Sequence, residues 1–172
     1  MLWLRDLPKY ETLQKFASRY PGMDISAVES FLTLLRVASD LFDGLDACLA
    51  RHDLQQGRWW VLVLLMRRGN LTAAPSELAE QAGVTRATMT GLVDSLERAE
   101  LVERIPDPRD RRSTQVRMTS AGKELMDVVM PDYYRRVAAL FTDLETEERQ
   151  RLVADLEAIQ SRVAMLGAET AP

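Results

Sequence analysis

The 172-residue chain has a single cysteine, Cys48, and a single histidine, His52. One thiol excludes an internal disulfide and a cysteine-rich zinc site, and it suits a reducing compartment. There is no Gly-rich phosphate loop, no HExxH and no His/Cys/acid cluster with metal spacing, so an enzyme, a metal or a cofactor is not expected. Glycine and proline are sparse, at 8 and 7 residues, in a chain that is 47% hydrophobic and 28% charged. That mixture excludes a low-complexity or largely disordered chain and favours helices around one core. The longest apolar run, 59–66, is far below the roughly 20 residues a bilayer-spanning helix needs. The opening Met1-Leu-Trp-Leu-Arg-Asp does not read as a secretory leader. The expectation is a cytoplasmic protein with no membrane partner.

Positive charge is also scarce overall, with 22 Lys and Arg against 26 Asp and Glu. Its distribution is uneven. Residues 104–123 carry Arg104, Arg109, Arg111, Arg112, Arg117 and Lys123 against Asp107 and Asp110, whereas 143–157 holds six acids against Arg149 and Arg151. A net charge of −4 argues against indiscriminate coating of nucleic acid, while the local basic stretch leaves room for a specific contact.

Hydrophobic spacing places the helices. Residues 9–19 form a short one stopped by Pro21-Gly22. After Asp24 or Ser26 as N-cap, Ile25, Val28, Leu32, Leu35, Ala38, Phe42, Leu45 and Leu49 recur at steps of three and four, predicting one helix to about Arg51. A helix so long in so short a chain suggests an interface as well as a core. "QQGRWWVLVLLMRRG" predicts a buried helix over 55–68, ended by Gly69. "APSELAEQAGV" predicts a short helix that includes Ser76 and ends at Gly83. Thr85 opens the next, with Met89, Leu92, Val93, Leu96 and Ala99 on its apolar side. Two helices separated by a tight Gly83-Val84 turn have the shape of a helix-turn-helix.

The stretches "LVERI" and "STQVRMT" then alternate at period two around "DPRDRR", which predicts a β-hairpin with a charged tip. Thr119 caps a helix that should kink or break at Pro131. A last amphipathic helix is predicted over 145–166, with Leu152, Leu156, Ile159, Val163 and Leu166 on one side. The fold class is therefore mainly α with a small β-hairpin wing. It is a winged helix-turn-helix over 55–120, flanked by helices at 8–52 and 121–168 within a single domain of 172 residues.

This order gives the arginines a physical purpose. The first turn of the second helix, Thr85, Arg86, Thr88, Met89 and Thr90, can enter a DNA major groove, with the Arg86 fork on guanine or phosphate and Met89 against thymine methyls. Ser76 of the preceding helix belongs to the same surface. Arg109, Arg111 and Arg112 at the hairpin tip can reach a narrow minor groove. Asp110 would repel phosphate, so its expected role is a strut to Arg98 or Arg104 that shapes the loop.

Residues 76–125, "SELAEQAGVTRATMTGLVDSLERAELVERIPDPRDRRSTQVRMTSAGKEL", resemble the DNA-binding core of the multiple antibiotic resistance regulator (MarR) family of winged-helix transcription factors. "DPRDRRS" followed by "VRMTSAGKEL" carries most of the likeness. The resemblance implies a homodimer whose N- and C-terminal helices form the dimerisation layer, two winged lobes on a pseudo-palindromic double-stranded DNA site, and a signal that weakens DNA binding. By position in the family pattern, Arg112 resembles the minor-groove arginine and Asp110 the acid that orients the wing. The extension at 9–19 is similar to a urate-responsive subgroup, but Trp59 stands where that subgroup has an acid, so urate is not implied.

An effector site is the remaining expectation. Trp59 and Trp60 point about 100° apart on their helix, so at most one is core. One of them can line an apolar or aromatic pocket between layers, beside His52 and Cys48. The bland alternatives are interface packing for the tryptophans, a helix-end cation for His52 and a small buried hydrophobe for Cys48. Together these readings describe a ligand-responsive DNA-binding repressor that takes a small aromatic or apolar effector. Two other classes stand beside it: a winged-helix module for protein contacts only, and a redox-sensing regulator working through Cys48.

Overall fold

The computed structural model describes residues 6–107 and 113–168. Its elements in chain order are α1 (Tyr10–Arg19), α2 (Ile25–Ala50), α3 (Gln56–Met66), β1 (Thr72–Ala73), α4 (Pro75–Ala82), α5 (Arg86–Arg98), β2 (Val102–Pro106), β3 (Thr114–Met118), α6 (Ser120–Leu140) and α7 (Thr146–Gln160), then a 3₁₀ turn at Val163–Gly167. The chain divides into two compact units, Met1–Met126 and Asp127–Pro172. The division falls inside α6, so α1 and α2 go with the winged elements.

In the first unit α3 is the central post. Trp59, Val61, Leu62, Leu64 and Leu65 are all buried, as its nearly continuous apolar run predicts. Helix α5 comes very close to it at Gly57, where a Cβ would lie 2.8 Å from Leu92 Cδ2. Helix α2 is capped by Asp24, whose carboxylate accepts from the Ala27 N–H at 3.0 Å. Of its long apolar stripe only Leu49, at the C-terminal end, is buried, with Cys48 beside it in sequence.

The sheet has three antiparallel strands in the order β1-β3-β2. The hairpin β2–β3 was predicted; β1 was not, because two residues carry no readable period. β1 pairs Thr72 with Arg117 and Ala73 with Val116, tying the start of the helix-turn-helix to the hairpin. In the hairpin, Val102 faces Met118 and Arg104 faces Val116.

Thr119 caps α6 as expected, its hydroxyl accepting from the Gly122 N–H at 3.0 Å and donating to the Glu100 carbonyl at 2.7 Å. Gly122 is required here, because a Cβ would stand 2.2 Å from the Leu101 carbonyl oxygen. Of the expected kink or break at Pro131, the break does not occur: α6 runs through it to Leu140. A proline inside a helix removes one N–H donor, and the helical segments on either side, 120–130 and 132–140, each span more than two turns.

In the second unit α7 begins with a capping box, Glu145 N–H donating to the Glu148 carboxylate at 2.8 Å. It stops at Gln160, short of the expected 166, where a turn and the 3₁₀ segment take over. None of its residues is buried.

Candidate nucleic-acid interface

The helix-turn-helix is built by local chemistry. Pro75 sits in the first turn of α4, where its missing N–H costs nothing. Gly83 ends the helix in the left-handed region at φ 64°, while the Gly83 N–H donates to Glu80 and the Val84 N–H to Ala79. This pair of bonds is a Schellman termination, and it turns the chain within two residues. Thr85 then caps α5, accepting from the Thr88 N–H at 3.1 Å.

The first turn of α5 presents Thr85, Arg86, Thr88 and Thr90, all exposed. Thr85 and Thr88 hydroxyls share a 2.9 Å hydrogen bond, and the Thr90 hydroxyl donates to the Arg86 carbonyl at 2.9 Å. The polar groups are therefore held on the backbone while the Arg86 side chain stays exposed. Met89 is corrected: it is 0% exposed and belongs to the core with Val93 and Leu96, so it cannot meet a thymine methyl. Its helical phase explains the outcome, since it lies one turn after Thr85 and one turn before Val93.

Ser76 is exposed on α4, close to this surface. With Glu77, Ala79, Glu80, Val84 and Arg86 it lines an open concavity of about 360 Å³ between the two helices. Glu77 is engaged by Arg68 of the α3–β1 connection at 3.1 Å.

The hairpin approaches its tip in order. The Asp107 N–H donates to the Ser113 carbonyl at 3.0 Å, and Gln115 donates to the Asp107 carboxylate at 2.8 Å. Arg109, Asp110, Arg111 and Arg112 lie outside the described residues. Glu103 and Arg117, opposite each other in the register, form a cross-strand ion pair at 2.9 Å.

One cluster had not been anticipated. Arg104 of β2 donates to Asp94 at 2.6 Å and to Glu97, both on α5, and its backbone N–H donates to Glu97 Oε1 at 3.1 Å. Burial works to lower the Arg104 pKa, but its hydrogen bonds to Asp94 and Glu97 and the charges of those carboxylates outweigh it and hold the value above that of a free arginine. Arg104 had been offered as a partner for Asp110, and here its fork is held by α5. Arg98, the other candidate, donates from Nε to the Asp94 carbonyl at 3.3 Å. A readable signal existed: at period two Arg104 shares a strand face with Val102, which points at α5.

The four residues expected at an effector site lie on α2, the turn after it and α3. Cys48 is buried in the last turn of α2, and His52 follows in the turn whose N–H donates to Leu49. Trp59 is 1% exposed and Trp60 37%, as one-in, one-out geometry requires, with ring centroids 4.5 Å apart.

A helix-turn-helix whose second helix starts with an exposed polar turn, followed by a β-hairpin that pairs with β1 in a three-stranded sheet, defines a winged-helix protein. Residues 54–114 match the model of the MarR family. Over 162 residues the chain is 28% identical to the HTH-type transcriptional repressor YetL of Bacillus subtilis, covering 94% of this chain and 97% of that protein. It is 30% identical over 138 residues to the HTH-type transcriptional regulator YkoM of the same species, covering 76% and 86%. The fold matches Sco3205, a MarR family transcriptional regulator from Streptomyces coelicolor crystallised with DNA. The TM-score is 0.73 at 24% identity, over 83% of this chain and 90% of that one. The chain belongs to the MarR family of winged helix-turn-helix transcriptional regulators. Membership makes it a regulator rather than an enzyme.

Proposed function

We propose that the protein is a repressor that binds a pseudo-palindromic operator as a homodimer and releases it when a small aromatic or apolar ligand binds. The observation that carries this reading is the first turn of α5. Arg86 and three threonines stand exposed on a helix whose opposite face, Met89, Val93 and Leu96, is fixed in the core. Such a turn suits a major groove, and the basic wing sequence suits the adjacent minor groove through Arg112. YetL is a repressor, which favours repression here. In this reading 55–120 is the DNA-binding lobe, and 8–52 with 121–168 supply the dimer layer.

The dimer is supported by apolar surface. Phe31, Val37, Leu41 and Phe42 of α2 are exposed, as are Leu152, Val153, Leu156 and Ile159 of α7. Patches of this extent in a monomer mark an interaction surface. Two recognition helices must stand roughly 34–36 Å apart to engage both half-sites. A ligand between the layers, with Trp60, Trp59, His52 and Cys48 as candidate lining, would favour another spacing and act only through its differential affinity for the two states. Among the described residues no helix is long and apolar enough to cross a membrane, and a cytoplasmic location follows from a DNA target.

The test is an anisotropy titration on the DNA upstream of the protein's own gene, across salt and with a panel of aromatic acids, phenols and an oxidant. Tight binding that falls steeply with salt is expected, with Arg112→Ala weakening it strongly while the dimer stays folded. No binding at any salt would instead favour the protein-contact module, and a response lost in Cys48→Ser would favour the redox regulator.

A further inference from the structure

We propose that Arg104 is a positioning residue that locks the root of the wing to the recognition helix, so that the two reach DNA as one body. The proposal rests on the operator-reading role above. Strand alternation puts Val102, Arg104 and Pro106 on one face of β2. Val102 on that face is buried, and so is Val116, the cross-strand partner of Arg104. The guanidinium therefore leaves the strand toward α5 rather than toward solvent, and its side chain is only 29% exposed.

Helix α5 meets it with Asp94 and Glu97, three apart and so on one side, directly after the buried Val93 and Leu96. Three hydrogen bonds then join β2 to α5, two of them between full charges. A planar guanidinium fork can serve two carboxylates at once, which a lysine ammonium cannot do with the same geometry. The chain between the elements is only the turn at 99–101, where Glu100 adopts φ 59°. Side-chain bonds, not that turn alone, fix the angle between wing and helix.

The lock has an electrostatic side as well. Asp94 and Glu97 lie on the helix proposed to enter the groove, where bare carboxylates would repel phosphate. Arg104 supplies their countercharge from within the lobe. Its Nη1 and Nη2 each donate to one of these carboxylates, so it adds rigidity and neutrality without itself being a phosphate contact.

The test is a mutant cycle read by operator anisotropy across salt, with melting curves as a check on folding. Arg104→Met is compared with wild type, and again in a chain that already carries Asp94→Asn and Glu97→Gln. The expected loss is about ten-fold or more in the native background and less than about two-fold in the altered one, as coupled groups require. The slope of affinity against salt should stay unchanged. Amide exchange at Arg104 and Val116 should quicken in Arg104→Met while the melting curve stays cooperative. If Arg104→Met does not fold, Arg104→Lys carries the same cycle, with a smaller loss in the same direction. An equal loss in both backgrounds, or a salt slope reduced by about one, would make Arg104 a phosphate contact and overturn the lock alone. Absence of salt-dependent binding by the wild-type chain would overturn the operator reading, and the lock with it.

Discussion

Helices α5 and α7 are close in length, 13 and 15 residues, and both carry apolar residues at steps of three and four. Their surroundings could hardly differ more. Met89, Val93 and Leu96 of α5 are buried in a helix that packs on the chain's own α3 and α4, leaving a face outside that is mostly polar and has only small Ala87 and Gly91 among its apolar exposed residues. Every residue of α7 is solvent-accessible, with Leu152, Leu156 and Ile159 among the exposed ones. An isolated helix of that length is marginal in water. The first helix buries its apolar residues within one chain and the second leaves them exposed, so in the proposed reading binding DNA and pairing with another copy are divided between different parts of the sequence.

Truncation in the core should show the difference most strongly. Leu96→Ala is expected to cost roughly 2–5 kcal/mol of folding free energy, read by urea unfolding, because Leu96 is fully buried. Gly122→Ala comes next, at about 1–3 kcal/mol, since its new methyl would meet the Leu101 carbonyl. A lowered midpoint in thermal melts checks it, and an unchanged midpoint would show that the α5–β2 turn is softer than its contacts imply.

Leu156→Ala probes the other helix. Its effect should appear in self-association, weakened about ten-fold in sedimentation equilibrium as for a central interface residue, with little change in unfolding at high protein concentration. Equal association of both proteins would break the comparison by removing α7 from the interface.

The smallest expected effect is at the start of α2. The Asp24 carboxyl is held below the ordinary range by the Ser26 hydroxyl first and the Ala27 N–H second. A depressed folded value means that the carboxylate's contribution is present above the unfolded pKa of about 3.9 and is lost as pH falls through the lower folded one. Asp24→Asn keeps a capping oxygen but cannot titrate, so its stability curve should be flatter than wild type on the acid side and similar at neutral pH.

The helical framework was legible because each element carries local punctuation: Asp24, Gly83, Thr85 and Thr119 stand at the boundaries their chemistry predicts. The polar turn of α5 was legible too, apart from Met89. A spacing of four from Thr85 looks like the exposed face, yet the same residue continues the stripe of Val93 and Leu96, and burial decided. What local pattern could not supply was contact across the chain. Arg104 meets Asp94 and Glu97 across ten and seven positions, and β1 exists only because Thr72 and Ala73 find β3. Pro131 does not end α6, because the rule for proline describes a cost and a long helix can absorb it.

The joint at Thr119 and Gly122 has a consequence for inheritance. Gly122 has no room for a side chain because of the Leu101 carbonyl, and Thr119 is bonded to both Glu100 and Leu101. A recombination breakpoint anywhere between 101 and 119 would bring a foreign turn against a glycine shaped for another. Shuffled descendants of this gene should therefore keep the segment from α5 to the first turn of α6 from a single parent, and exchange partners upstream or downstream of it.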